Sequence, residues 1–111
     1  LTHDAVRPFI NDRIIEENIC AAREYGACNT AIPAVDTMLL SEDGEFIAAV
    51  PDRNKLFHAQ TPQSFDAKRL YELIEKTPRD DFEMMTDGCS VFSYHNERVF
   101  LVKGDKITQI K

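Results

Sequence analysis

His3, Asp4 and Arg7 place an imidazole, a carboxylate and a guanidinium just ahead of Pro8. A carboxylate at a strand end suits a hard cation such as Mg²⁺, which takes oxygen donors and shares them with substrate phosphates. Asp4 would equally pair with Arg7 or cap the turn, and spacing alone leaves these readings open. His3 would polarise a phosphate or simply satisfy a hydrogen bond. Arg53 lies in the turn Pro51-Asp52-Arg53-Asn54 and is of a type that grips phosphate through two parallel N–H groups, although turn arginines are often only solvated. Gln60-Thr61-Pro62-Gln63 and Thr86-Asp87 form two further polar groupings. Cys89 has no evident base partner, which argues against nucleophilic catalysis. On residue types alone, a phosphate-handling enzyme and an inert α/β interaction domain stand level.

These groups need elements to hold them. Asn11 caps a predicted helix through Tyr25, with Gly26 as its stop and Ile15, Ile19 and Ala22 on its inward face. Residues 28–33 read as a short buried strand. Two apolar runs, 36–40 and 45–50, flank Ser41-Glu42-Asp43-Gly44, and Asp-Gly between such runs predicts a hairpin, either a protruding arm or a folded-back edge. Residues 55–60 read as a strand broken by Thr61-Pro62-Gln63. Asp66 caps a helix over 67–76 with Leu70, Leu73 and Ile74 inward, and 77–81 reads as a solvated loop. Thr86-Asp87 starts a helix to Tyr94 with Val91 inward. A strand over 99–103, a turn at Gly104-Asp105 and an extended piece over 107–111 complete the chain. Strands alternating with helices predict an α/β fold with a mainly parallel sheet, and ligands in such sheets gather at the carboxyl ends of strands.

The 111 residues suffice for one modest core, and 43% hydrophobic with 29% charged residues is ordinary for a globular protein. A net charge of −6 argues against broad binding to nucleic acid, which requires a basic face. No apolar run reaches membrane-spanning length, so neither nucleic acid nor membrane is an expected partner. Cys20, Cys28 and Cys89 are odd in number and lack metal-ligand spacing, which reads as buried free thiols in a reducing, cytoplasmic setting.

Taken in order, His3-Asp4-Ala5-Val6-Arg7-Pro8-Phe9, Asp36-Thr37, Asp52-Arg53-Asn54, Gln60-Thr61-Pro62-Gln63-Ser64-Phe65 and Thr86-Asp87 resemble the motifs of the cytidylyltransferases that join CTP to a sugar-alcohol phosphate. That family includes ribitol-5-phosphate and 2-C-methyl-D-erythritol 4-phosphate cytidylyltransferases. Val6, Phe9 and the Gln-Thr-Pro-Gln-Ser-Phe string look more like the ribitol-phosphate branch. The resemblance implies a Rossmann-like nucleotidyltransferase domain in which a substrate phosphate oxygen attacks the α-phosphorus of CTP, with Mg²⁺ bridging phosphates and pyrophosphate leaving. The product on this branch is CDP-ribitol, a precursor of teichoic-acid-like wall polymers.

By the same resemblance, Asp4 is the metal ligand and, with Ala5 and Arg7, contacts substrate. Thr37 and Arg53 reach a neighbouring subunit from a hairpin dimerisation arm over about residues 36–54, giving a homodimer. Thr61 and Thr86 line the pocket, and Arg53 with Lys111 is catalytic. Lys111 is the preferred match to the family's lysine, with Lys106 as rival, since Gln109-Ile110-Lys111 stands where the family has Asn-Ile-Lys. The family's glycine-rich nucleotide loop has no counterpart here. The expectation is therefore that residues 1–111 are the C-terminal part of such a domain, lacking the nucleotide-binding half and inactive alone.

Overall fold

The computed structural model describes residues 1–5 and 8–109. Asn11 opens helix α1 (Asp12–Tyr25) by accepting from the Ile14 amide at 3.0 Å, and Gly26 closes it at φ 88°, a conformation cheap only without a Cβ. Where periodicity predicts Ile15, Ile19 and Ala22 inward, the helix buries Ile14, Asn18 and Ala21 and leaves Ile19 40% exposed. The cause is polar. Asn18 donates to the Ile14 carbonyl and to Thr30 Oγ1, and its Oδ1 accepts from the Ser64 hydroxyl. Thr30 Oγ1 in turn donates to the Pro62 carbonyl at 2.7 Å. This satisfied cluster pins α1 to two strands at once, which an apolar stripe would not specify.

Strand β1 (Ala27–Pro33) is central, flanked by β2 (Phe57–Phe65) and β3 (Phe100–Lys103). It pairs antiparallel with β2 and parallel with β3, so the sheet is mixed rather than mainly parallel. The correction arises because the chain returns from the 34–56 excursion beside the strand it left. Thr2 adds one antiparallel bridge to Gln63. Asn29 pairs with Gln63 and Ala31 with Ala59, leaving 60–62 across from Thr30 alone. The predicted break at 61–63 is thus a bulge within a continuous strand, a place where Pro62 can lack an N–H.

After β2, Asp66 caps α2 (Ala67–Lys76) by accepting from the Lys68 and Arg69 amides. The predicted loop over 77–81 contains a short helix, α3 (Arg79–Phe82). Asp87 caps α4 (Gly88–Tyr94), and the last described piece is a 3₁₀ turn (Lys106–Gln109) where an extended segment was expected. Ala27, Leu73, Val91 and Phe92 make one core cluster on the α2–α4 side of the sheet, while Ala21, Cys28 and Val102 pack on the α1 side. A Cβ on Gly88 would lie 2.5 Å from the Phe65 ring, so this close approach of α4 to β2 needs glycine. Cys28 and Cys89 are buried free thiols, whereas Cys20 is exposed.

The excursion departs from the predicted hairpin. Its chain reversal carries one isolated bridge, Leu40 to Ala49, and no paired strands. Local bonds hold the turn: Asp43 accepts from the Glu45 and Phe46 amides, and Ser41 Oγ from the Gly44 amide. Its apolar side chains face outward, with Phe46 74% and Ile47 60% exposed.

Candidate functional site

A cleft of about 720 Å³ is lined by Thr2, His3 and Asp4, by Gln60, Thr61 and Gln63 of β2, and by Thr86 and Asp87 ahead of α4. Leu70, Ile74, Phe82 and Met85 form its apolar part. Volume and lining suit a small polar molecule rather than a macromolecule.

The bulge of β2 does the placing. It turns the Thr61 hydroxyl to within 2.9 Å of His3 Nδ1, and the same oxygen accepts from the Asp4 amide at 3.0 Å. The hydroxyl either donates its proton to Nδ1 or accepts a second bond from Nδ1–H, according to the imidazole tautomer. The Gln60 amide donates to the Asp105 carbonyl at 3.0 Å, tying β2 to the turn after β3. A Cβ on Gly104 would lie 2.1 Å from Gln60 Oε1, so a larger residue in that turn would displace the Gln60 amide.

On the α4 side, Gln63 Nε2 donates to Asp87 Oδ2 at 2.8 Å. Asp87 Oδ1 accepts from the Ser90 amide and hydroxyl, each at 2.8 Å, and the Ser90 hydroxyl is 3.2 Å from Thr86 Oγ1. Burial pushes the Asp87 carboxyl upward, but the bonds from Gln63 and Ser90 together outweigh it and hold the group below the ordinary carboxylate value. Cys89 behind it is pushed up to about 12 by burial, then by the charge of Asp87 and by Cys28, so it stays a neutral thiol.

Asp4, Thr61 and Thr86 therefore meet in one cleft. Ala5 is exposed beside Asp4. Thr37 and Arg53 are exposed on the excursion and do not line the cleft of their own chain; Arg53 Nη1 donates to the Val35 carbonyl at 3.1 Å. Arg7 and Lys111 lie outside the described residues, while Lys106 sits exposed in the final 3₁₀ turn. Among the described residues, no group of three or more His, Cys, Asp or Glu side chains gathers to hold a metal. A cation at Asp4 would thus take its remaining oxygens from phosphate and water, which is the usual habit of Mg²⁺. No helix among the described residues is long and apolar enough to cross a membrane.

Sequence reading missed Ser90 and the linking role of Gln63. Ser90 had a local signal, since it stands three residues after the cap Asp87. Gln63 had none, because its partner lies 24 residues away.

The family model described as IspD, 2-C-methyl-D-erythritol 4-phosphate cytidylyltransferase, matches residues 1–111. Among solved structures, the chain is similar to the 4-diphosphocytidyl-2C-methyl-D-erythritol synthase of Anaerococcus prevotii, at 31% identity and a TM-score of 0.83, covering 96% of this chain and 49% of that one. It is also similar to the 2-C-methyl-D-erythritol 4-phosphate cytidylyltransferase of Thermus thermophilus, at 29% identity and a TM-score of 0.79, covering 96% of this chain and 51% of that one. The Francisella tularensis enzyme of the same name, 20% identical with a TM-score of 0.80 over 95% of this chain and 49% of that one, shares the fold. The chain spans about half the length of each of these relatives.

Proposed function

Because the chain belongs to the IspD family of 2-C-methyl-D-erythritol 4-phosphate cytidylyltransferases, we propose that it forms the alditol-phosphate side of a cytidylyltransferase site. The reaction transfers CMP from CTP to 2-C-methyl-D-erythritol 4-phosphate and releases pyrophosphate. The observation that carries this reading is the meeting of Asp4, Thr61 and Thr86, drawn from three separate segments, in one cleft of a chain matched end to end by that family. The Gln60–Phe65 string pointed to ribitol 5-phosphate, but the family model and the relatives named above bear on methylerythritol phosphate and give that substrate and its wall-polymer role no support.

Phosphoryl transfer of this kind is driven by positioning and by neutralising charge. Asp4 would hold Mg²⁺, which when bound supplies charge neutralisation at the phosphates. Thr61 and Thr86 would line the alditol-phosphate side of the pocket, with Ala5 and Arg7 as further substrate contacts. Arg53 and Thr37 are exposed in their own chain, so the reading has them reach the cleft of a second copy, in a homodimer assembled through the excursion and its outward Phe46 and Ile47. Lys111 completes the cationic set. A cytoplasmic location belongs to the same proposal.

The test is incubation of the natural protein that carries these residues with CTP, Mg²⁺ and each alditol phosphate. CDP-methylerythritol with pyrophosphate is the expected product. CDP-ribitol would overturn the substrate, and neither product would leave a non-catalytic binding module. Light scattering should report a dimer, and a monomer would remove the proposed sharing of Arg53.

A further inference from the structure

We propose that Gln63 is a positioning residue for the alditol-phosphate side of the site, joining the segment that carries Asp4 to the turn that carries Thr86. The inference rests on the cytidylyltransferase reading above.

Gln63 is only 4% exposed, so the fold holds its side chain in place, while its partner Asp87 stands exposed at the cleft. Its backbone accepts from the Thr2 amide at 2.7 Å and donates to the Thr2 carbonyl at 2.8 Å, which sets the path of the chain into His3 and Asp4. Its side chain then reaches the other way, to Asp87 Oδ2. Asp87 is bonded to Ser90 twice, and the Ser90 hydroxyl meets that of Thr86. One buried residue thus sits between two cleft segments that otherwise belong to opposite ends of the chain. Its backbone bonds survive any side-chain replacement. Substituting the amide should therefore release the Thr86 turn while leaving the Asp4 segment in place.

This predicts a split between substrates. In the natural protein, Gln63→Met should raise KM for methylerythritol phosphate about tenfold, the usual scale of losing a hydrogen bond to a charged group. KM for CTP should stay within about twofold, because uniform damage would move both constants. Gln63→Glu places a carboxylate 2.8 Å from Asp87 and should be worse. The double variant Gln63→Glu with Asp87→Asn should restore KM. It rebuilds the same bond with donor and acceptor exchanged, and asparagine still caps α4.

Wild-type KM in Gln63→Met would overturn the proposal, as would equal rises for both substrates. Failure of the double variant to rescue Gln63→Glu would overturn it too. Thermal melting of each variant identifies one that does not fold, in which case Gln63→Met alone decides. If the unmutated protein makes no CDP-alditol, the cytidylyltransferase reading itself fails, an outcome distinct from any result on the variants.

Discussion

Around the cleft, polar side chains find partners far away in sequence: Thr61 meets His3, Gln63 meets Asp87, and Thr30 meets the Pro62 carbonyl. In the excursion over 34–56, Asp43 bonds to Glu45 and Phe46, and Ser41 to Gly44, all within three residues. The cleft is set by tertiary structure, and its geometry fails if the packing does. The excursion is held by turn bonds, one Leu40–Ala49 bridge and the Arg53–Val35 bond, all within itself, and leaves its apolar side chains for another surface.

The largest expected effect separates the two regions by stability. Leu73 is 2% exposed in the core cluster beneath α4, so Leu73→Ala should cost about 3 kcal/mol, transfer loss and cavity together. Phe46 removes nothing from the core of its own chain, and Phe46→Ala should change unfolding stability by less than about 0.5 kcal/mol below the concentration of assembly. Urea unfolding of both proteins measures this. A large loss in Phe46→Ala would show that the excursion packs on the fold, and the contrast would break.

Activity should sharpen the same contrast in the opposite sense. Arg53 makes one exposed bond to the Val35 carbonyl, so Arg53→Ala should leave the melting temperature unchanged. Under the proposed function it should nonetheless lower kcat/KM for methylerythritol phosphate about 100-fold, the scale of removing one charged contact from a transferring phosphoryl group. Thr61→Val should cost about tenfold, since a neutral hydroxyl contributes less than a cation. Steady-state kinetics on the natural protein decides; an Arg53→Ala protein with full activity would confine the excursion to assembly.

How much of this was legible follows from the range of the interactions. The caps at Asn11, Asp66 and Asp87 and the stop at Gly26 are local events, and each stands where the sequence places it. Asp4, Thr61 and Thr86 were readable as members of motifs, although their meeting in one cleft was not. The inward face of α1 was misjudged because Asn18 is buried by partners on β1 and β2, which no helical period reveals. The mixed sheet was not legible because nothing local in residues 34–56 signals that the chain returns antiparallel beside β1. Nor was the length of β2, because Thr61-Pro62-Gln63 looks like a strand end that a bulge absorbs. The hairpin was legible in part: its turn signal is real and one bridge forms, from Leu40 to Ala49, but the apolar runs on either side pair no further.

The smallest expected effect comes from comparing the two capping aspartates. Both carboxyls are held below the ordinary value: Asp43 by the Phe46 and Glu45 amides, and Asp87 by Gln63 and Ser90 against the upward push of burial. A lowered value means the unfolded chain takes up the proton first as pH falls. Stability from such a group is complete above the ordinary carboxylate value, about 4, and is lost as pH drops through the folded value. The two should still differ. The bonds of Asp43 span three residues or fewer and can form in the unfolded chain, so its two states titrate alike. The Gln63 bond to Asp87 closes a 24-residue separation and exists only in the folded protein. Asp87→Asn should therefore flatten the acid limb of stability below about pH 4, whereas Asp43→Asn should leave it as in the unmutated chain. Urea midpoints measured across that limb test the difference. Equal flattening by both substitutions would mean that the turn at Asp43 is held by the fold after all, and is not local.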